Sequence, residues 1–190
     1  MRGLSNNETR EWCLGQGLSL TSDNYLYYDF RDHHSFYVEL AGKAQELISL
    51  GEYLIPTWNE THFQGGLVWM KDWGIWNEHL EKVGSAILRQ MRLASSESRP
   101  LIDAPAMLFE PSELFELHAY FALPLLFGWD AFVVPAGREY FVFLSHEGLI
   151  CVVSKSRQVH EQVFARVKEW GPTENEEWYF RHIVSTPGRE

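Results

Sequence analysis

Residues 129–154 read WDAFVVPAGREYFVFLSHEGLICVVS, and this stretch decides the fold. It holds three apolar runs, Ala131–Val134, Tyr140–Leu144 and Leu149–Val153, rich in the Val, Phe and Ile that suit a pleated, buried surface. Pro135-Ala136-Gly137-Arg138 and His146-Glu147-Gly148 separate the runs with turn residues. The spacing predicts a three-stranded antiparallel meander over residues 130–154. Side chains alternate across a strand. Tyr140, Val142 and Leu144 therefore face one way, and Phe141 and Phe143 the other. Neither set is polar, whereas a sheet with one wet face alternates apolar with polar. Both faces of this sheet are expected to be covered. An apolar cleft over one face is the other outcome of the same pattern.

Working outward, Leu67–Met70 follows two glycines and reads as a further strand. A helix is predicted to start near Trp76 or Asn77. Its inward face would be Leu80, Val83, Gly84, Ile87, Leu88 and Met91, with Glu78, Glu81, Lys82, Arg89 and Arg92 on the other side. Ala94–Ala104 is loop by composition. Pro111 and the acidic Glu113 and Glu116 open a helix over Ser112–Leu123, which Pro124 should stop or kink. After the meander, Arg157–Trp170 reads as a helix that buries Val159, Val163, Val167 and Trp170 and ends at Gly171-Pro172.

The N-terminal part is less regular. Ser5 and Glu8 have the spacing of a capping box, so a helix should run to about Leu14, anchored by Trp12. Leu18–Leu20 and Tyr25–Phe30 read as extended, and Phe36–Leu40 fits either strand or helix. From Glu39 a helical face of Leu40, Ala44, Leu47 and Ile48 is expected, stopped at Gly51, with a short strand at Tyr53–Ile55 and a loop over Asn59–Gly66. The apolar patch Trp178–Val184 should dock. Together these predict one α+β domain spanning residues 1–190. Its antiparallel sheet, centred on the meander and Leu67–Met70, packs against three to four helices. The N-terminal strands extend that sheet or form a second one.

The chain has 190 residues and 45% hydrophobic content, enough for a core without staples. Its net charge of -10 argues against nucleic acid as a direct partner and against an anionic membrane surface. That charge suits a basic protein partner, small molecules, or solubility alone. The cysteines, Cys13 and Cys151, are too few for a disulfide scaffold and are expected as reduced thiols in a cytoplasmic protein. MRGLSNNETREW turns polar where a signal peptide needs an apolar run, and Leu117–Trp129 is too short to span a bilayer.

No pattern for a phosphate loop, a dinucleotide fold, a nucleophile elbow or a zinc site occurs, and no cofactor is expected. Asp29, Asp32, His33 and His34, with Glu60 and His62, have the donors for a divalent ion if brought together. A solvated polar loop with an exposed His pair is the favoured reading of them. Cys151 near His146 has the residue types of a nucleophilic pair, but a thiol inside an apolar strand is ordinarily inert. Asp72, Glu110, Asp130, Glu139 and Glu147 lie near element ends, where carboxylates are commonplace and where any two are available as an acid/base pair. The last pattern is aromatic. Trp69, Trp73 and Trp76 cluster beside Asp72, as a stacking or interface platform or as a cap on the core.

These residues favour a non-catalytic acidic protein-binding domain of the inhibitor or immunity type, with Trp69, Asp72, Trp73 and Trp76 as contact residues and a basic protein as partner. The alternatives are an enzyme whose site is assembled from scattered Asp, His and Glu residues, and a small-ligand module built on the tryptophans.

Overall fold

The computed structural model describes residues 1–28, 33–40, 42–55, 63–72, 78–175, 178–179 and 181. Among them lie ten strands and five α-helices in the order β1 Arg2–Leu4, α1 Asn6–Gly15, β2 Ser19–Leu20, β3 Leu26–Tyr27, β4 His34–Glu39, α2 Ala44–Leu54, β5 Gly66–Asp72, α3 Glu78–Ala94, β6 Ala106–Phe109, α4 Leu114–Phe127, β7 Asp130–Pro135, β8 Tyr140–Ser145, β9 Leu149–Ser154, α5 Arg157–Arg166 and β10 Thr173–Glu174. Eight strands form one antiparallel sheet, in the order β1-β6-β5-β7-β8-β9-β4-β10. The fold is α+β. β2 and β3 form a separate two-stranded ladder, a second sheet, while β1 and β4 join the large one.

Both faces of the large sheet are covered. On the first, Val68, Met70, Val133, Val142 and Val152 pack under α2, α4 and α5, with Leu88 of α3. On the second, Leu67, Trp69, Phe132, Phe141, Phe143, Cys151 and Val153 pack against Cys13 of α1, Leu26 of β3 and Tyr179. The strands are apolar on both sides because both sides are buried.

The helices depart from the periodic reading in instructive ways. α1 has its capping box: the Ser5 hydroxyl accepts from Glu8 N, and Glu8 Oε2 accepts from Ser5 N at 2.8 Å. Its buried residues are Thr9 and Cys13, while Trp12 is only half-buried. α2 does not stop at Gly51 but runs through it to Leu54, taking in most of the expected strand. A Cβ at Gly51 would stand 3.1 Å from Leu125 Cδ1, so the glycine serves helix contact rather than termination. This turns the buried line to Leu50, Gly51 and Leu54 and leaves Ile48 exposed. Of Phe36–Leu40, Phe36–Glu39 resolves as strand, and β4 begins earlier than expected, at His34.

α4 likewise passes Pro124 and ends at Phe127. The missing N–H costs a bond to the Tyr120 carbonyl, but Gly128, left-handed at φ 66°, closes the final turn onto Pro124 O at 3.0 Å. α3 starts at Glu78, and of the inward face expected Gly84 and Leu88 are buried and Met91 half-buried, but the line is turned at Val83 and Ile87. These two are 55% and 42% exposed, whereas Arg92 is 5% exposed. Gly84 explains the rotation, because a Cβ there would meet the Trp129 ring at 2.7 Å and the stacked Phe127 ring at 2.9 Å. α5 ends at Arg166, followed by a 3-10 turn at Lys168–Trp170. His160, Val163 and Val167 are buried; Val159 and Trp170 are half-buried. Among the described residues no helix is long and apolar enough to cross a membrane.

Candidate functional site

A group of interacting titratable side chains lies at one end of the sheet, where β5, β7 and β8 come together. Asp72 pairs with Asp130, and the register shifts between Met70 and Asp72, leaving Lys71 in the irregularity. The Lys71 ammonium sits over the Trp69 and Tyr25 rings, at 4.7 and 5.0 Å, and donates to Asp23 O at 3.0 Å. Burial pulls the Lys71 pKa down to about 8, partly opposed by Asp23 and Asp130. Asp130 is 6% exposed. Its Oδ1 accepts the His146 backbone N–H at 2.6 Å and lies 2.8 Å from His146 Nδ1. A buried carboxylate therefore orients a half-exposed imidazole on the β8–β9 turn. An oriented imidazole and an amine with a lowered pKa are general acid/base groups.

The residues expected at a contact surface are divided. Trp69 is 1% exposed in the second core, 6.1 Å from Phe132, so its indole is a core member. It lies on β5, as the strand expected at Leu67–Met70 requires. Asp72 ends β5; Trp73 and Trp76 lie outside the described residues.

Of the expected metal donors, Asp29, Asp32, Glu60 and His62 lie outside the described residues. His34 opens β4 with its ring 5.7 Å from that of His160, whose Nε2 lies 3.5 Å from Glu174 Oε1. His33 directly precedes that strand. Among the described residues no group of three or more His, Cys, Asp or Glu side chains is arranged to hold a metal ion. Cys13 and Cys151 are buried free thiols. Burial pushes the Cys13 pKa up to about 12 and that of Cys151 higher still, which keeps both protonated and unreactive. Of the scattered carboxylates, Asp130 alone is held against a histidine at sub-3 Å distance among the described residues.

A different surface collects acid. A groove of about 910 Å³ opens between α2, the end of β4 and the 3-10 turn, lined by Glu39, Glu46, Glu169, Ser49, Thr173 and Trp170. The half-buried Trp170 ring rests on Tyr53 at 4.9 Å. Gly171, at φ 64°, takes the left-handed turn that carries the chain from Trp170 towards β10. Glu46 also accepts the Lys43 N–H at 3.0 Å, which fixes its position at the start of α2. The sequence reading missed this groove because the three carboxylates come from three elements. The only local signal was Trp170 directly before Gly171-Pro172, where the helix had to end.

The comparisons with known proteins add no relative: no family model, no curated protein and no solved structure matches the chain.

Proposed function

We propose that this chain is a non-catalytic binding protein of the cytoplasm, of the inhibitor or immunity type, that holds a basic protein partner. The groove of Glu39, Glu46, Glu169 and Trp170 is its contact site, and this juxtaposition carries the reading. Three carboxylates around an indole suit an Arg or Lys side chain, which gains charge pairing and the ring face together. The net charge of -10 supports the same reading by steering a cationic partner on approach. The test is binding of an arginine-rich peptide to the wild type and to Glu39→Lys/Glu169→Lys. Expected are binding that weakens steeply with salt, at least tenfold loss in the double variant, and little change in Glu161→Lys, a carboxylate on α5 outside the groove. Equal binding by the groove and control variants would reject the site.

A second reading rests on Lys71, Asp130 and His146: acid/base chemistry at the sheet end, the scattered-residue enzyme in a new place. Reductive methylation of the lysines followed by NMR titration tests its premise. A Lys71 signal that titrates near the ordinary lysine value would remove it.

A further inference from the structure

Among the described residues three arginines gather at one place, which the acidic composition does not lead one to expect. A cavity of about 440 Å³ lies between the last turns of α3 and the loop over 95–104. Arg89, Arg92 and Arg99 line it together with Ser85 and Ser98, over an apolar wall that includes Leu88 and Leu101. Glu97 is the only carboxylate among the lining residues. It is committed to Arg99, accepting from that guanidinium at 2.9 and 2.5 Å, and this pairing holds its pKa down to about 2. Glu8, 4.0 Å from Arg99 Nη1, and Asp103 also act on Arg99 from outside the cavity. Among the described residues Arg89 has no ion-pair partner, and Arg92 has only the field of Glu97, whose oxygens are bonded to Arg99.

Arg92 makes this more than a basic patch. It is 5% exposed, and a buried guanidinium is costly unless its donors are filled. Both of its hydrogen bonds leave from Nη2, to Arg99 O and Ala104 O at 3.0 Å each. Nε has no acceptor, and no bond leaves from Nη1. Bracing the loop explains Nη2 and the position near a helix C-terminus, where cations are favoured. It does not explain a buried Nε with no acceptor.

We propose that this cavity binds a small organic oxyanion, a carboxylate or phosphate monoester carried on an apolar body. Its head would be met by the guanidinium groups of Arg92 and Arg89 and the Ser85 hydroxyl. Its body would lie along Leu88 and Leu101. The site is separate from the acidic groove, and it stands or falls independently of the basic-partner reading.

The experiment titrates benzoate and phenyl phosphate into the full chain, with inorganic phosphate and benzyl alcohol as the headgroup-only and body-only controls. Binding is followed by the Nε resonances of the arginines and by calorimetry. Expected are saturable shifts at Arg92 and Arg89 with one or both organic anions, and at least tenfold weaker binding of each control. The stronger organic anion identifies the headgroup. Arg89→Gln should weaken binding about tenfold, as loss of one charge-assisted contact does. Ser85→Trp should abolish binding by filling the cavity. Both positions lie outside the loop brace, so unchanged melting temperatures separate lost binding from lost folding. No saturable shift with either anion overturns the proposal. So does benzyl alcohol binding as tightly as benzoate, or anion binding that survives both variants.

Discussion

The two faces of the large sheet are both buried, but they are closed by different means. The first lies under α2, α4 and α5 with Leu88 of α3, and α2 and α4 pack on each other through Gly51. The second lies under one ten-residue helix, a ladder of two-residue strands, and Tyr179 from far along the chain. There the strands supply large rings, with Phe132 and Phe143 at 4.8 Å and Phe141 and Tyr179 at 5.6 Å. The Tyr179 hydroxyl donates to Leu26 O at 2.6 Å and ties that cover down. A broad helical layer spreads its stability over many contacts. A patchwork cover concentrates it in a few. The second face should therefore open locally while the first stays shut.

Tyr179→Ala should break that contrast hardest. Deleting a fully buried aromatic costs about 3–5 kcal/mol. Hydrogen exchange should show the loss of protection concentrated in α1, β2 and β3, with α2 and α4 spared. Uniform loss across both faces would mean that the two covers form one cooperative unit. Gly84→Ala tests the first face. Its new Cβ would meet the Trp129 ring at 2.7 Å, and overpacking of this kind costs about 1–3 kcal/mol, offset by about 1 kcal/mol of helix propensity. A net loss in urea midpoint is expected, and a gain would show that α3 can slide away from the ring pair. Ser5→Ala removes the α1 cap and should cost about 1 kcal/mol, read as reduced protection on the second face only.

The faces also differ in how they respond to pH. His118 on α4 and His160 on α5 belong to the first side, and burial lowers both pKa values. The unfolded chain takes up these protons near pH 6.5 while the native chain resists, so stability falls as pH drops below about 6.5. The two thiols belong to the second face. Unfolded thiols ionise near pH 8.5, while Cys13 holds its proton to about 12, so stability falls as pH rises above about 8.5. Lys71 works the other way, since its native pKa of about 8 lies below the unfolded value and adds stability as pH climbs past it. Denaturation midpoints across pH should show His160→Gln softening the acid limb and Cys151→Ala softening the alkaline limb. Interchanged effects would break the assignment of each limb to one face.

Legibility followed the same division. The strands of the central stretch could be read because each is a continuous apolar run between turn residues. β1, β6 and β10 escaped because runs of three, four and two residues carry too little pattern, and only their partners make them strands. Gly51 and Pro124 were read as stops from their local chemistry, and tertiary packing overrode both. Arg92 was placed outward because its charge suggested solvent, although its partners are carbonyls of a loop that the periodicity does not describe. The joining of Lys71, Asp130 and His146 depends on strand register, and so does the membership of Trp69 in a core. Neither is written in local spacing.

The bond from Tyr179 to Leu26 spans 153 positions of sequence, which has a bearing on biosynthesis. A ribosome releases the chain from its N-terminal end at about 5–20 residues per second. Every strand of the aromatic face is made before Tyr179 emerges. For those seconds Phe132, Phe141 and Phe143 are presented to the surroundings without their last lid, on β-rich segments of the kind that join with other chains. Until Tyr179 has left the ribosome and docked, the aromatic face is therefore the surface most open to such joining. Slowing elongation in that interval should raise aggregation rather than relieve it.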